Sequence, residues 1–302
     1  MKQGRAELAQ RLCGALSLFW EAHSQFKEAH HWIDAALEMG QDTPARVRAK
    51  LLLAASRLAT WEMVSERVRT LAQEALTLYE SCGDAPGRAT AIFQIGDAWH
   101  MQGEYARASR CFEESLNLQR ELGDRRSYAF TLSRLGAIDM LRGNFPQAQA
   151  RLTEAVTLFR EYGEPWGLSV MLTSLGFLCL LQRQLFLSLA YLREGLILAQ
   201  ETGNLFNIAI NLMAFGCTLG VASDPIYMAQ VCSAAEALFE RLGTSLPAAY
   251  VPLYQSYQQN ARSRVDGAIW DMEWSQGKTF SQEQAIMLAL EICQRCLSEG
   301  AR

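Results

Sequence analysis

The chain has 302 residues, of which 50% are hydrophobic and 20% are charged, and its formal net charge is -4 at pH 7. This composition excludes a disordered chain, and the slightly acidic balance argues against direct contact with nucleic acid. The N-terminus lacks the apolar core of a signal peptide, and eight scattered cysteines are typical of reduced, buried thiols. We therefore expect a folded cytoplasmic protein.

Glycine recurs every 40 residues in two separate phases, and this period decides the predicted fold class. One phase is Gly83, Gly123, Gly163, Gly203 and Gly243, and the other is Gly96, Gly136, Gly176 and Gly216. A fixed period of this length indicates repeated units that stack on one another. We expect the first phase to end each unit and the second phase to let two helices approach closely.

Apolar residues spaced three to four apart predict pairs of helices in chain order. The clearest unit runs from Ala89 to Leu122, where residues 102–104 separate two helices and Gly123 follows the last turn. The same design recurs before and after it, which predicts about six helix pairs between residues 5 and 243.

After Gly243 the period ends, and residues 244–302 are predicted to form a C-terminal helical cap. Its three helices are expected near residues 248–262, 265–276 and 281–297. Ser281 followed by Gln284 has the spacing of a capping box before the last helix. A solenoid needs such terminal helices because they cover the last apolar face.

Two uncharged stretches, residues 166–182 and 205–223, approach the length of a membrane-spanning helix. Both contain polar or small residues, and both are in register with residues 87–101, which are amphipathic and charged. We therefore predict that they are buried helices of the solenoid.

The unit that begins at Ala129 resembles the tetratricopeptide repeat. The residues that carry this resemblance are Leu135, Gly136, Gly143, Phe145, Ala148, Leu152 and Ala155. It implies an all-α, right-handed solenoid in which the first helix of each pair lines a concave face. The period is 40 residues rather than the usual 34 or so, and the extra residues are expected in the second helix or in the connector 123–128.

Segments near both ends resemble the MalT-like tetratricopeptide sensor region of large bacterial regulators, which join it to an NTPase and often to a LuxR-type DNA-binding domain. The residues that carry it are Arg11–Leu16, Phe19–Trp20, Trp32, Cys232–Leu238, Leu242–Gly243, Trp270–Trp274, Gly277–Ser281 and Gln284–Leu290. The resemblance implies a non-catalytic sensor whose NTPase lies upstream of this segment. The alternative is a free-standing scaffold that assembles other proteins.

Motifs that suggest chemistry are incomplete. Gly277-Lys278-Thr279 resembles a phosphate loop, but Met272 stands where that loop requires glycine. Cys293 and Cys296 have metal-ligand spacing without a second pair. Because no nucleophile is accompanied by a base, we expect no enzyme activity, no metal and no cofactor.

The concave groove is the predicted binding site for a protein, a peptide or a small-molecule effector. Its lining is expected at fixed offsets from the second phase of glycines. The ten candidates are Phe93, Asp97, His100, Phe130, Ser133, Met140, Thr173, Phe177, Leu180 and Met213. An open apolar groove would be a partner site; alternatively, tight curvature or the C-terminal helices fill it.

Overall fold

The computed structural model describes residues 2–40 and 43–299, and all regular structure in these residues is helical. A short 3₁₀ turn, Ala248–Tyr250, lies between the twelfth and thirteenth of its fifteen α-helices. The α-helices are α1 Lys2–Ala22, α2 Phe26–Glu38, α3 Ala45–Trp61, α4 Ser65–Ser81, α5 Ala85–Met101, α6 Tyr105–Leu122, α7 Arg125–Leu141, α8 Phe145–Tyr162, α9 Pro165–Leu181, α10 Leu185–Thr202, α11 Leu205–Ala222, α12 Pro225–Leu242, α13 Val251–Arg262, α14 Gly267–Lys278 and α15 Gln282–Glu299. The all-α fold of stacked helix pairs is therefore confirmed.

The chain divides into two compact units within α7, between Ile138 and Asp139. The first unit contains α1–α6 and most of α7, and the second contains α8–α15. The predicted array of pairs corresponds to α1–α12, and α12 ends at Leu242, immediately before Gly243. The last three residues of the predicted cap, 300–302, lie outside the described residues.

The glycines of the first phase, and Gly96, Gly176 and Gly216 of the second, have the roles expected from the sequence. The five glycines of the first phase follow helices with φ between 63 and 70°, a left-handed conformation that other residues adopt only with strain. In the second phase, a Cβ atom on Gly96 would lie 2.7 Å from Phe112, and one on Gly176 would lie 2.5 Å from Leu192. These contacts leave no room for a larger residue between the helices of a pair.

The extra length of the repeat lies in the helices rather than in the connectors. Only Gly123 and Asp124 separate α6 from α7, so of the two expected alternatives the structure has the longer helix and not the longer connector. Helix α5 has 17 residues and α6 has 18. Longer helices bury more apolar surface per pair, which gives each unit a deeper core.

The core of the second unit includes both stretches that were tested as membrane spans. Among the described residues, α11 is long and apolar enough to cross a membrane, but 78% of its apolar window is buried within the protein. Its amides bond to α9: Asn207 Nδ2 donates to Ser169 Oγ at 2.8 Å, and the Asn211 amide lies 2.8 Å from Thr173 Oγ1. The prediction of a buried solenoid helix fits this packing.

The C-terminal helices have the predicted start signal. Ser281 N donates to Gln284 Oε1 at 2.7 Å, and Gln284 N donates to Ser281 Oγ at 3.2 Å, which is the reciprocal pattern of a capping box.

Gly277 lies inside α14, where a Cβ atom would overlap Ser233 Oγ and the Gln230 carbonyl of α12. Gly277 is therefore a helix-packing glycine, and its neighbours do not form a phosphate loop.

Candidate functional site

In the first unit, α5 presents three of the predicted site residues on one face. Phe93 is half-buried, and its ring centroid lies 5.3 Å from that of Phe112. Asp97 is buried, and Arg134 Nε of α7 lies 2.8 Å from its Oδ1. His100 is half-buried, one helical turn further along. The spacing of three and four residues places all three on the same side of α5.

The other predicted residues of this unit lie on α7. Phe130 is half-buried, and the Arg126 guanidinium lies 5.1 Å from the centre of its ring, a cation–π geometry. Ser133 is buried, and its hydroxyl donates to the Phe130 carbonyl at 2.8 Å. The Ser133 hydroxyl is therefore bonded within its own helix, whereas Phe130 retains exposed surface.

Two charged residues that the sequence analysis missed complete this face. Glu21 of α1 and Arg57 of α3 lie opposite each other, with 3.8 Å between Glu21 Oε2 and Arg57 Nε. Arg57 also donates from Nη2 to Ser17 Oγ at 2.7 Å. We call the surface that these residues form the first-helix face, because α1, α3, α5 and α7 are the first helices of their pairs. Its residues are Glu21, Arg57, Phe93, Asp97, His100, Arg126, Phe130 and Arg134.

The charges of the first-helix face act on one another. Burial raises the pKa of the Glu21 carboxyl, while Arg57, Arg126 and Arg134 lower it. Burial likewise raises the pKa of Asp97, and the Arg134 guanidinium opposes that rise. These mutual effects place all five groups in one electrostatic neighbourhood.

The protonation of His100 on this face is also affected by its surroundings. Burial and, to a smaller extent, the positive charge of Arg134 together lower its pKa from 6.5 to about 4. Its Nε2 atom is buried without a hydrogen-bond partner, and so is Arg57 Nε. Buried polar atoms are nearly always paired, so such unpaired atoms are sites where a ligand or water can bind.

In the second unit, four of the predicted site residues have little surface to offer a ligand. They are Met140, Thr173, Leu180 and Met213, and their exposed fractions range from 0 to 5%. At these positions the offsets therefore give core residues, as they also do at Asp97 and Ser133 in the first unit. In this conformation these four side chains stabilise the fold instead of lining an open groove.

The remaining candidate, Phe177, is covered by the chain itself. Tyr250 of the 3₁₀ turn meets it edge to face, with 5.3 Å between the ring centroids. Close to the end of α13, Arg264 Nη1 donates to the Gly220 carbonyl of α11 at 2.7 Å. Of the two alternatives drawn from the sequence, this contact matches a groove that C-terminal residues fill.

The cysteines of the second unit are suited to packing rather than to chemistry. Burial raises the pKa of Cys179 and of Cys293 to about 11, so both thiols stay protonated and weakly nucleophilic at neutral pH. Cys293 Sγ lies 3.8 Å from the Leu189 carbonyl of α10. Within the described residues, no three His, Cys, Asp or Glu side chains are grouped to hold a metal ion.

Comparison with known proteins agrees with this architecture. The tetratricopeptide repeat family matches residues 93–161. This segment contains six of the ten predicted site residues, from Phe93 to Met140. No curated protein matches the chain.

Two solved structures have the same kind of fold. A Rap protein complexed with Competence and Sporulation Factor has a TM-score of 0.69 at 14% identity, and the alignment covers 97% of this chain and 76% of that one. The apo form of RapI has a TM-score of 0.53 at 16% identity, with 85% and 99% covered. At these identities the likeness shows a shared tetratricopeptide-like fold.

The tetratricopeptide-like repeat explains which site residues the sequence could locate. Offsets from a motif glycine found Phe93, Asp97 and His100, because α5 and α7 keep the repeat's register. Glu21 and Arg57 were missed because α1 and α3 carry no motif glycine at that register. A useful signal would have been the 40-residue period itself, since Arg57 lies 40 residues before Asp97.

Proposed function

We propose that the chain is a non-catalytic binding domain, the sensor or regulatory part of a bacterial signalling or transcription regulator. The observation that carries this proposal is the contrast between the two units. On the first-helix face of the first unit, Phe93, Phe130, Arg57 and Arg134 keep exposed surface, and Arg57 Nε and His100 Nε2 have no hydrogen-bond partner. Of the predicted site residues in the second unit, Met140, Thr173, Leu180 and Met213 are buried, and Phe177 contacts Tyr250.

The repeat architecture supports a binding role, because stacked helix pairs present extended surfaces that proteins use for recognition. The Rap protein of similar fold was solved in complex with Competence and Sporulation Factor. By analogy, we infer that this domain captures a protein or peptide, or a small effector, without direct contact to nucleic acid. Binding would shift the packing of the helix pairs, and an attached module would respond to that shift.

Site-specific photo-cross-linking in cells tests this proposal. A benzoylphenylalanine in place of Phe93 on α5 samples the first-helix face, and one in place of Glu113, exposed on α6, is the matched control. We expect one discrete adduct, identified by mass spectrometry, from the Phe93 position and none from Glu113. Equal labelling at both positions, or none at Phe93, would contradict the proposal.

The same experiment separates a sensor from a scaffold. A sensor domain gives one adduct of fixed stoichiometry, whereas a free-standing scaffold holds two or more different proteins at once. Native mass spectrometry of the recovered complex distinguishes these outcomes by the number of chains bound.

A further inference from the structure

The outer side of α1 carries a row of exposed apolar side chains. Leu8, Leu12, Leu16 and Phe19 recur at three- or four-residue spacing, which places them on one face of the helix, and their exposed fractions range from 42 to 59%. The opposite side of α1 is buried. Helix α1 therefore directs large apolar side chains toward solvent, and we call these four residues the α1 stripe.

The positions of α3 that are equivalent to the α1 stripe are buried. Ser24 and Met63, the turn residues after α1 and α3, both have positive φ, at 55 and 59°, and lie 39 residues apart. With this offset, the α1 stripe corresponds to Val47, Leu51, Ala55 and Leu58, which are 0 to 9% exposed. Leu51, Ala55 and Leu58 share a core cluster with Trp20, Ala29 and Ile33 of α1 and α2. The α1 stripe is thus the kind of surface that, one pair later, a neighbouring helix pair covers.

The last helix of the chain does not share this property. The described exposed residues of α15 are polar except for Met287, as expected for a terminal helix of a solenoid. The outer side of α1 is apolar instead, so it is suited to contact with protein rather than with water.

The apolar surface continues from α1 onto α2. Cys13 Sγ lies 3.4 Å from the Trp32 carbonyl, which places Trp32 beside the middle of α1. Trp32 and Met39 lie seven residues apart on one side of α2, and each is about half exposed. We call these two residues and the α1 stripe the end surface. If each of its six side chains presents roughly 100 Å², two copies packed together bury about 1,200 Å², the lower end of the range for specific interfaces.

Opposite charges lie at the two ends of the end surface. Arg5, near the start of α1, is exposed and lies seven residues before Leu12. Glu28 is exposed in the first turn of α2, four residues before Trp32 and close to where α1 ends. If two copies pack about a two-fold axis with antiparallel α1 helices, Arg5 of each copy comes to the end where the other copy carries Glu28. A parallel arrangement would bring like charges together.

We propose that the end surface binds a second copy of the chain, forming a two-fold dimer with antiparallel α1 helices. A second copy supplies helical apolar surface of the kind that covers the equivalent positions of α3, together with sufficient area and opposite charges at both ends. Glu21 lies two residues after Phe19 and hence on the opposite side of α1. The proposal is therefore independent of what binds to the first-helix face.

Sedimentation equilibrium of the purified full chain tests this proposal. The chain has a mass of 33.8 kDa, and we expect twice this value, falling to the monomer mass on dilution. Leu12→Glu should raise the dissociation constant of the dimer about a hundredfold or more, because each dimer would bury two unpaired carboxylates. Leu18→Glu is the matched control: Leu18 is equally exposed on α1 but lies six residues after Leu12, on another side of the helix. It should change the constant less than about twofold.

Exchanging the charges tests the antiparallel arrangement. At low salt, Arg5→Glu and Glu28→Arg should each weaken the dimer about three- to tenfold, since each places like charges together at both ends. The double variant should restore the parent constant. Circular dichroism checks that every variant keeps its helices, and Leu8→Gln, at another exposed position of the stripe, replaces Leu12→Glu if that variant loses helicity.

Three results would overturn the inference. The first is a monomer at every concentration at which the chain stays soluble, which would leave the end surface to a different protein or to a further helix. The second is an equal loss in Leu12→Glu and Leu18→Glu, and the third is a double charge variant that remains as weak as the single ones. None of these results bears on the partner cross-linked at position 93, because the mass is measured on the chain alone.

Discussion

At the residue scale, the motif glycines allow the two helices of a pair to pack closely. Gly176→Ala would place a Cβ atom 2.5 Å from Leu192 Cγ. Overpacking outweighs the gain in helix propensity, so we expect a loss of about 1–2 kcal/mol in the free energy of unfolding. Urea denaturation measures this change. Gly267→Ala is the matched control, since nothing lies within 4 Å of that Cβ, and it should leave stability unchanged or slightly higher.

His100 gives a second prediction at this scale. Its imidazole should titrate near pH 4 in an NMR experiment, with the signal assigned by its loss in His100→Gln. Because the folded pKa lies below the unfolded value, the unfolded chain binds the proton first as the pH falls. The contribution of His100 to stability is therefore complete above pH 6.5 or so and is lost progressively toward pH 4. A midpoint near 6.5 would show that the imidazole is freely hydrated.

At the scale of elements, α9 and α11 are held together by polar contacts inside an apolar core. The pairs are Ser169 with Asn207 and Thr173 with Asn211, and all four side chains are buried. The sequence predicted two buried helices here but not this ladder, because the pairing depends on which turns of α9 and α11 lie side by side. Such networks fix the register of helices when every member is bonded.

A double-mutant cycle tests this ladder. Thr173→Val removes the hydroxyl that lies 2.8 Å from the Asn211 amide, and it should cost about 1–3 kcal/mol because a buried amide loses a partner. Combining it with Asn211→Leu should cost less than the sum of the two single changes. Thr157→Val on the exposed face of α8 should stay within about 0.5 kcal/mol of the parent. Strict additivity in the cycle would mean that the two residues do not interact.

For the helices that follow Gly243, the pattern predicted the positions but not the contacts. Their positions agree with the sequence to within a few residues, but their partner surfaces could not be inferred, because the 40-residue period ends there. In the structure, Tyr250 lies on Phe177, and only Tyr254 and Ala261 of α13 are buried. The 3₁₀ turn before this thinly buried helix thus covers Phe177, which a tetratricopeptide-like groove would otherwise expose.

At the scale of the whole molecule, the sequence predicts the scaffold better than the site. The glycine phases fix helix ends and close contacts, since both depend on local backbone geometry and on residue size. Whether Leu180 or His100 faces solvent depends instead on how far neighbouring helices enclose each position. The pairing of Glu21 with Arg57 joins residues 36 apart in the chain, and no periodicity encodes it.

The central claim is that the chain binds its partner on the first-helix face of the first unit. The most direct test is amide hydrogen exchange of the chain, measured with and without the partner that photo-cross-linking at position 93 identifies. We expect new protection in α5 and α7, with smaller changes in the ends of α1 and α3 that carry Glu21 and Arg57. Protection confined to α9, α11 and α13, or to the second helices of the pairs, would contradict it.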